Sequence, residues 1–251
     1  SLTNALLGYD RTIVSDIAGT TRDAIDTPIT VDGKKYTIID TAGIRRKRSV
    51  DEDVEYYSVL RALGAIRRAD VSLLVVDCEE GLTEQDVKIA GYIHEQGKPS
   101  VIVMNKWDLI EKDTHTINEF EKKLQTDLAF MDYFKSVYVS AKTGQRVNKI
   151  LSAAAEVKAN AEKRITTGTL NDIISSAVRA TEPPARNGRR LKIYYAVQDG
   201  VCPPSFVFFV NNSDLMHFSY KRFLENTIRK TFGFEGTPIR IFVREKNDKN
   251  L

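Results

Sequence analysis

The sequence predicts an open α/β domain with a mostly parallel sheet, followed by a small α+β domain. Two patterns point to this. Over about the first 160 residues, short β-rich apolar runs alternate with amphipathic helical stretches, as they do when helices cover both faces of a parallel sheet. After a loosened stretch, Glu162–Thr169, the order changes to helix, two strands, helix, strand, which indicates an α+β unit of about 80 residues. Charge divides at the same place: residues 1–163 carry 23 Lys+Arg against 26 Asp+Glu, a net of −3, and residues 164–251 carry 14 against 8, a net of +6.

The elements follow in order. Ser1-Leu-Thr-Asn-Ala-Leu-Leu-Gly8 reads as the last turns of a helix closed by glycine. Ile29–Val31 and Tyr36–Ile39 are strands, and Asp32-Gly33 between them signals an antiparallel hairpin. Val71–Val76, Val101–Met104 and Val137–Val139 are nearly continuous apolar strands. Thr83-Glu-Gln-Asp86 is a capping-box start for a helix running to about Gln96, and Gly97 ends it. A helix over about Val147–Ala161 closes the first domain. The second domain reads as a helix over Leu170–Ala180, a Pro-Pro turn, strands Leu191–Ala196 and Phe206–Val210, a helix over Tyr220–Phe232 and a strand Ile239–Val243.

Composition excludes several classes of function. At 251 residues, 42% hydrophobic, with an overall charge of +3, the chain is neither disordered nor collagenous. No apolar run approaches the roughly 20 residues of a membrane span, and no charged-then-apolar leader is present. Two cysteines, Cys78 and Cys202, make no disulfide framework, so a reducing, cytoplasmic setting is the expectation. Three scattered histidines add no zinc-ligand spacing.

Three short motifs sit where strands end, the edge at which open parallel sheets hold ligands. Asp40-Thr41-Ala42-Gly43 follows the strand Tyr36–Ile39. In a phosphate site such an Asp holds Mg²⁺ through water, and the Gly lets its N–H approach a γ-phosphate; taken alone, the segment is also compatible with a simple turn. Asn105-Lys106-Trp107-Asp108 follows Val101–Met104. A carboxylate at Asp108 can accept both the N1–H and the 2-amino group of guanine, Asn105 can meet N7 and brace the loops, and the Lys106 stem can lie over the base. An adenine would leave that carboxylate unpaired. Ser140-Ala141-Lys142 ends the last strand, where the Ala141 N–H can meet the guanine O6.

In order and spacing the three segments resemble the P-loop GTPase superfamily. Gly19-Thr20-Thr21-Arg22-Asp23, preceded by Ile13-Val-Ser-Asp-Ile-Ala18, resembles the first switch of bacterial GTPases of the MnmE, Era and Der groups. The resemblance implies that Thr21 ligates Mg²⁺ and senses the γ-phosphate, an order–disorder switch. In relatives that use K⁺, the matching segment supplies oxygens to that ion, here Ser15, Ile17 and Thr20. Two departures stand out. The Gly-rich phosphate loop is absent, and Ser1–Gly8 resembles the helix that follows it, so the loop is expected upstream. Ile44 occupies the position where Ras-type proteins carry a water-orienting Gln, which predicts slow hydrolysis. The basic run Arg45-Arg-Lys-Arg48 is either a solvated loop or a nucleotide-controlled contact.

The second domain carries the more specific likeness. Gly188–Ile193, Pro203–Val207, His217–Arg222 and Phe232–Arg240 closely resemble the C-terminal KH-like domain of the Der (EngA) family. The chain is thus similar to that family's second G domain, residues 1–163, plus its KH-like domain, residues 164–251. The resemblance implies a GTP/GDP- and Mg²⁺-dependent GTPase, slow and K⁺-stimulated. It also implies a role in large-subunit ribosome assembly, with the 50S subunit, rRNA and an upstream G domain as expected partners. Nucleotide state would control presentation of the basic domain to rRNA. The alternatives are an RNA-interaction module without useful turnover and a tRNA-modifying or Era-like GTPase.

Basic residues from Arg186 to Lys246 carry the RNA expectation. Most of the interleaved aromatics, Tyr194, Tyr195, Phe206, Phe208, Phe209 and Phe218, are expected in the core from their strand alternation. Gly233-Phe-Glu-Gly236 matches an RNA-clamping Gly-x-x-Gly in form, but it leads into a strand and is expected to be a helix C-cap. His217 is expected to be structural, near a helix start.

Overall fold

A computed structural model describes residues 2–8, 12–14, 26–39, 62–186 and 188–246. By internal contacts the chain divides into two compact units, 1–155 and 156–251.

In the first unit, helix α1 (Leu2–Leu7) ends as Gly8 donates its N–H to the Asn4 carbonyl at 2.8 Å. Strands β1 (Thr12–Val14), β2 (Asp26–Val31) and β3 (Lys34–Ile39) form an antiparallel sheet in that order. The β2–β3 turn places Asp32 and Gly33 at φ 49° and 76°, the left-handed pair that a two-residue hairpin requires. Strand β1 had no counterpart in the sequence reading, because three residues are too few for their alternation to register.

Residues 62–68 are helical (α2), and the Arg68 guanidinium pairs with Asp26 at 2.9 Å. Strands β4 (Ser72–Asp77), β5 (Ser100–Asn105) and β6 (Lys135–Tyr138) form a parallel sheet with β5 central. Burial follows position: Ser100 to Met104 are buried without interruption, as a strand covered on both faces demands. Helix α3 (Glu84–Glu95) starts at the expected capping box, where Thr83 and Asp86 each bond the other's backbone N–H. Helix α4 (Thr116–Asp127) is capped from further back. Asp113 Oδ1 accepts the Thr116 hydroxyl at 2.8 Å and the His115 and Thr116 N–H groups at 2.7 Å each, and these bonds, the hydroxyl's foremost, hold its carboxyl below the usual range. The core gathers Val76, Ile102, Met104, Trp107, Leu128 and Met131. Helix α5 (Asn148–Glu162) follows, and the division between units falls inside it.

The second unit holds α6 (Thr167–Ala180), a short ribbon of β7 (Ala185–Arg186) and β8 (Arg189–Arg190), then β9 (Ile193–Gly200), β10 (Ser205–Val210), α7 (Phe218–Phe232) and β11 (Arg240–Glu245). Its sheet order is β11-β10-β9, with β9 antiparallel and β11 parallel to the central strand. Helices α6 and α7 bury Leu170, Ile174, Leu224 and Ile228 against Phe206, Phe208 and Val210. Strand β9 starts and ends later than its apolar run suggests. Its polar end is held because Gln198 accepts the Ile165 N–H at 2.7 Å and donates to the Lys163 carbonyl at 2.9 Å.

Gly233 closes α7 in the left-handed conformation at φ 67°, donating to the Arg229 carbonyl at 2.8 Å, as the C-cap reading expected. The Gly233–Gly236 turn is pinned by Arg229, which donates to the Phe234 and Thr237 carbonyls at 2.7 and 2.9 Å. Lys163 adds a cation at the same helix end, 2.8 Å from the Phe232 carbonyl. His217 is the N-cap of α7, its ring accepting the Ser219 N–H, the structural role expected.

Candidate nucleotide-base site

The parallel sheet brings three loops to its carboxyl edge. Asp77 and Asn105 are paired in register as the last residues of β4 and β5, and Ser140-Ala141-Lys142 lies just past β6. Two of the sequence-expected segments therefore meet. Asn105 Oδ1 accepts the Ala141 N–H at 3.0 Å, tying the second loop to the third. With Oδ1 so engaged, its Nδ2 is the donor a ligand would meet.

Lys106 sits at φ 63°, a left-handed conformation uncommon for a residue with a Cβ. Its ammonium lies 2.6 Å from Asp77 Oδ2, with Asp77 only 1% exposed, and 3.7 Å from Glu79. Asp77 was missed in the sequence, although an acid ending the apolar run Leu73-Leu-Val-Val76 was the available signal. Trp107 turns inward: it is 2% exposed, its N–H bonds the Val139 carbonyl at 3.0 Å, and its ring packs on Tyr138 and Phe120. That burial anchors the loop carrying its two neighbours.

Asp108 follows in a 3-10 turn, Trp107–Leu109. The Ser140 hydroxyl foremost, with Asp108's own N–H, Lys142 and Lys112, holds its carboxyl below the usual carboxylate range against partial desolvation. Its Oδ1 is shielded from solvent and has no hydrogen-bond partner. A shielded, ionised acceptor with spare capacity is what a ligand presenting adjacent N–H donors requires. Ser140 is fully buried and accepts the Thr143 N–H at 3.1 Å, so the partner of Asp108 is itself fixed. Lys142 is exposed. Cys78, beside Asp77, has its thiol pushed up to about 12, by burial first and then by the Asp77 and Asp108 carboxylates.

Ser15, Ile17, Thr20, Thr21, Asp40, Thr41, Ala42, Gly43, Ile44 and the run Arg45–Arg48 lie outside the described residues. Among the described residues no group of three or more His, Cys, Asp or Glu could hold a metal ion, and no helix is long and apolar enough to cross a membrane.

In the second unit the aromatic expectation is corrected. Phe206 and Phe208 are core, but Tyr194, Tyr195 and Phe218 are exposed and Phe209 is half-buried. Alternation of side chains along a strand reports two faces without saying which one is covered; here the face under α6 and α7 is covered throughout, while the other leaves Tyr195 in water and Phe209 half-buried. Arg229 also leaves the presumed basic surface, since it is 14% exposed and spends its donors on backbone carbonyls.

Comparison with known proteins resolves the family. Residues 1–106 match the family described as 50S ribosome-binding GTPase, and residues 164–244 match the KH-domain-like C-terminal domain of EngA bacterial GTPase enzymes. GTPase Der of Alkaliphilus oremlandii is 56% identical over 250 residues, covering 100% of this chain. The chain belongs to the Der (EngA) family of GTPases. It spans 57% of the length of that relative, and likewise of GTPase Der from Ruminiclostridium cellulolyticum, also 56% identical over 250 residues. Among solved structures, Aquifex aeolicus Era bound to GDP.AlF4- shares 18% identity, covering 98% of this chain and 89% of its own at a TM-score of 0.49. The Der-family chain thus has the P-loop GTPase fold in its first part and a KH-like domain in its second.

Proposed function

We propose that this chain is the GTP-binding and GTP-hydrolysing part of a ribosome-associated switch protein. Its GTP or GDP state governs how the basic KH-like domain is presented to rRNA during assembly of the large subunit. The observation carrying the proposal is the shielded Asp108 carboxylate with an unpaired Oδ1, beside loops tied by Asn105 and Ala141. Asp108 accepts the guanine N1–H and 2-amino group, Asn105 Nδ2 donates to N7, and the Lys106 stem covers the base while Asp77 fixes its ammonium. The Ala141 N–H reaches O6 as a hydrogen shared with Asn105. Ser140 and Lys142 keep Asp108 ionised, and buried Trp107 fixes the loop.

For the phosphates, Thr21 and Asp40 are the residues to hold Mg²⁺, and the Asp40-Thr41-Ala42-Gly43-Ile44 segment meets the γ-phosphate through the Gly43 N–H. Ser15, Ile17 and Thr20 are those to hold K⁺. These ions supply positive charge where it develops in phosphoryl transfer. Cytoplasmic 50S particles and an upstream G domain are the partners this reading expects.

The base assignment is tested by Asp108→Asn in the full-length protein. An amide offers N–H where the carboxylate accepts, so guanine affinity falls at least about 100-fold while xanthine nucleotides, with an oxygen at C2, gain. Unchanged guanine preference would refute the assignment. Phosphate release is expected to be faster in K⁺ than in Na⁺, and no release in either salt with ribosomal particles present would favour a passive RNA-interaction module. Affinity for 50S particles must differ between GTP-like and GDP states, since a ligand shifts only equilibria between states it binds differently.

A further inference from the structure

The open face of the second unit's sheet has an unusual composition. Helices α6 and α7 cover the face bearing Phe206, Phe208 and Val210, so the alternate residues project from the other side. Strand register puts Tyr195, Phe209 and Arg244 in one cross-strand row and Val197, Val207 and Phe242 in the next. The Tyr195 and Phe209 rings stack with centroids 4.4 Å apart at 17°. Tyr195 and Phe242, on the two edge strands, remain 39% and 47% exposed, while Val207 between them on the central strand is 2% exposed. Along the edge strand β11 the same alternation presents Arg240, Phe242 and Arg244, and Lys246 continues it. Lys246 and Lys192 place their ammonium groups 4.9 and 5.3 Å from the Tyr194 ring centroid. On β9 to β11 the acids are Asp199 and Glu245, and Glu245 is engaged with the Ser213 N–H at 2.9 Å.

Core packing does not account for aromatics left in water, and a contiguous patch of this kind marks a binding surface. The cations narrow the partner. Seating an apolar protein surface here would desolvate Arg244 and Lys246 without supplying charge in return. A single-stranded polynucleotide supplies both halves, with π-faces for the aromatics and phosphates for the cations, whereas a duplex keeps its bases stacked inside. We infer that this sheet face is a stacking platform for single-stranded RNA, with bases on Tyr195, Phe209 and Phe242 and phosphates along Arg240, Arg244 and Lys246. The inference rests on the reading that the KH-like domain meets RNA, and it assigns the contact to the sheet face rather than to the Gly233–Gly236 turn. The competing surface is the side of α7 lined by Phe218, Arg222, Phe223 and Lys230.

The test measures anisotropy of a labelled, unstructured 12-nucleotide RNA and a duplex of equal length with the full chain across a KCl series. Phe242→Ala and Tyr195→Ala are each expected to weaken single-strand binding about 5- to 100-fold with the salt slope unchanged. Arg240→Gln with Arg244→Gln should lower that slope by about 1.4. Tyr195→Phe and Phe242→Tyr keep the ring and should bind like the parent. Far-ultraviolet circular dichroism and thermal unfolding of each variant, compared with the parent chain, report its folding. If the alanine variants bind like the parent while Arg222→Gln with Lys230→Gln loses affinity, the platform is overturned and RNA binding by this domain stands. If the parent chain binds neither RNA, both fall. If Phe242→Ala loosens association with the upstream part of the full-length protein and leaves RNA affinity unchanged, the occupant is protein and the inference fails.

Discussion

Replacing Lys106 by Met keeps the stem over the proposed base position and removes the cation from a carboxylate that is 1% exposed. At 2.6 Å the gross attraction is roughly 6 kcal/mol at an effective dielectric near 20, most of it offset by desolvation of Asp77. Lys106 itself is 45% exposed, which screens the pair, so we expect a destabilisation of about 1–2 kcal/mol rather than the 3–5 of a fully buried pair. The chain has a single tryptophan, Trp107, and it is buried in the first unit next to the substituted residue. Its fluorescence during urea unfolding therefore reports this unit alone and avoids treating two units as one transition. Asp77→Asn and the double variant complete a cycle, with an expected coupling of about 1–2 kcal/mol. Coupling below about 0.3 kcal/mol would refute the claim that Asp77 holds Lys106 in place.

Three further outcomes follow from the same geometry. Asp108 has a depressed folded-state carboxyl, so its charge is lost only as pH falls through that lowered value; guanine-nucleotide affinity should be flat from about pH 8 to about pH 5, and a fall between pH 6 and 5 would contradict it. Cys78 is buried with its thiol pushed up to about 12 while Cys202 is exposed, so a disulfide-exchange reagent should count one thiol in the native chain even near pH 9 and two in urea; two native thiols would refute the placement of Cys78. Arg229→Met strips a charged donor from the Phe234 and Thr237 carbonyls and should cost about 2–3 kcal/mol in the second unit, followed by circular dichroism, with Trp107 fluorescence unmoved; a cost below about 0.5 kcal/mol would mean that the turn holds without it.

Sequence by itself settled what local chemistry settles. The apolar runs of β4, β5 and β6, the Thr83 capping box, the Asp32-Gly33 hairpin and the Gly233 cap were legible because strand burial, capping and positive φ depend on residues a few positions apart. Asn105 and Asp108 were singled out for a different reason: a guanine site would demand those side chains at that spacing. Only the tertiary structure could decide pairings across long separations. The Lys106–Asp77 ion pair, the Asn105–Ala141 tie and the inward turn of Trp107 join segments whose adjacency exists only once the sheet is assembled. The same reason explains the aromatic error. Alternation separated neighbours such as Phe208 and Phe209 onto opposite faces, and only the strand register and the packing of α6 and α7 showed that Tyr195 and Phe209 stack on the side away from the helices.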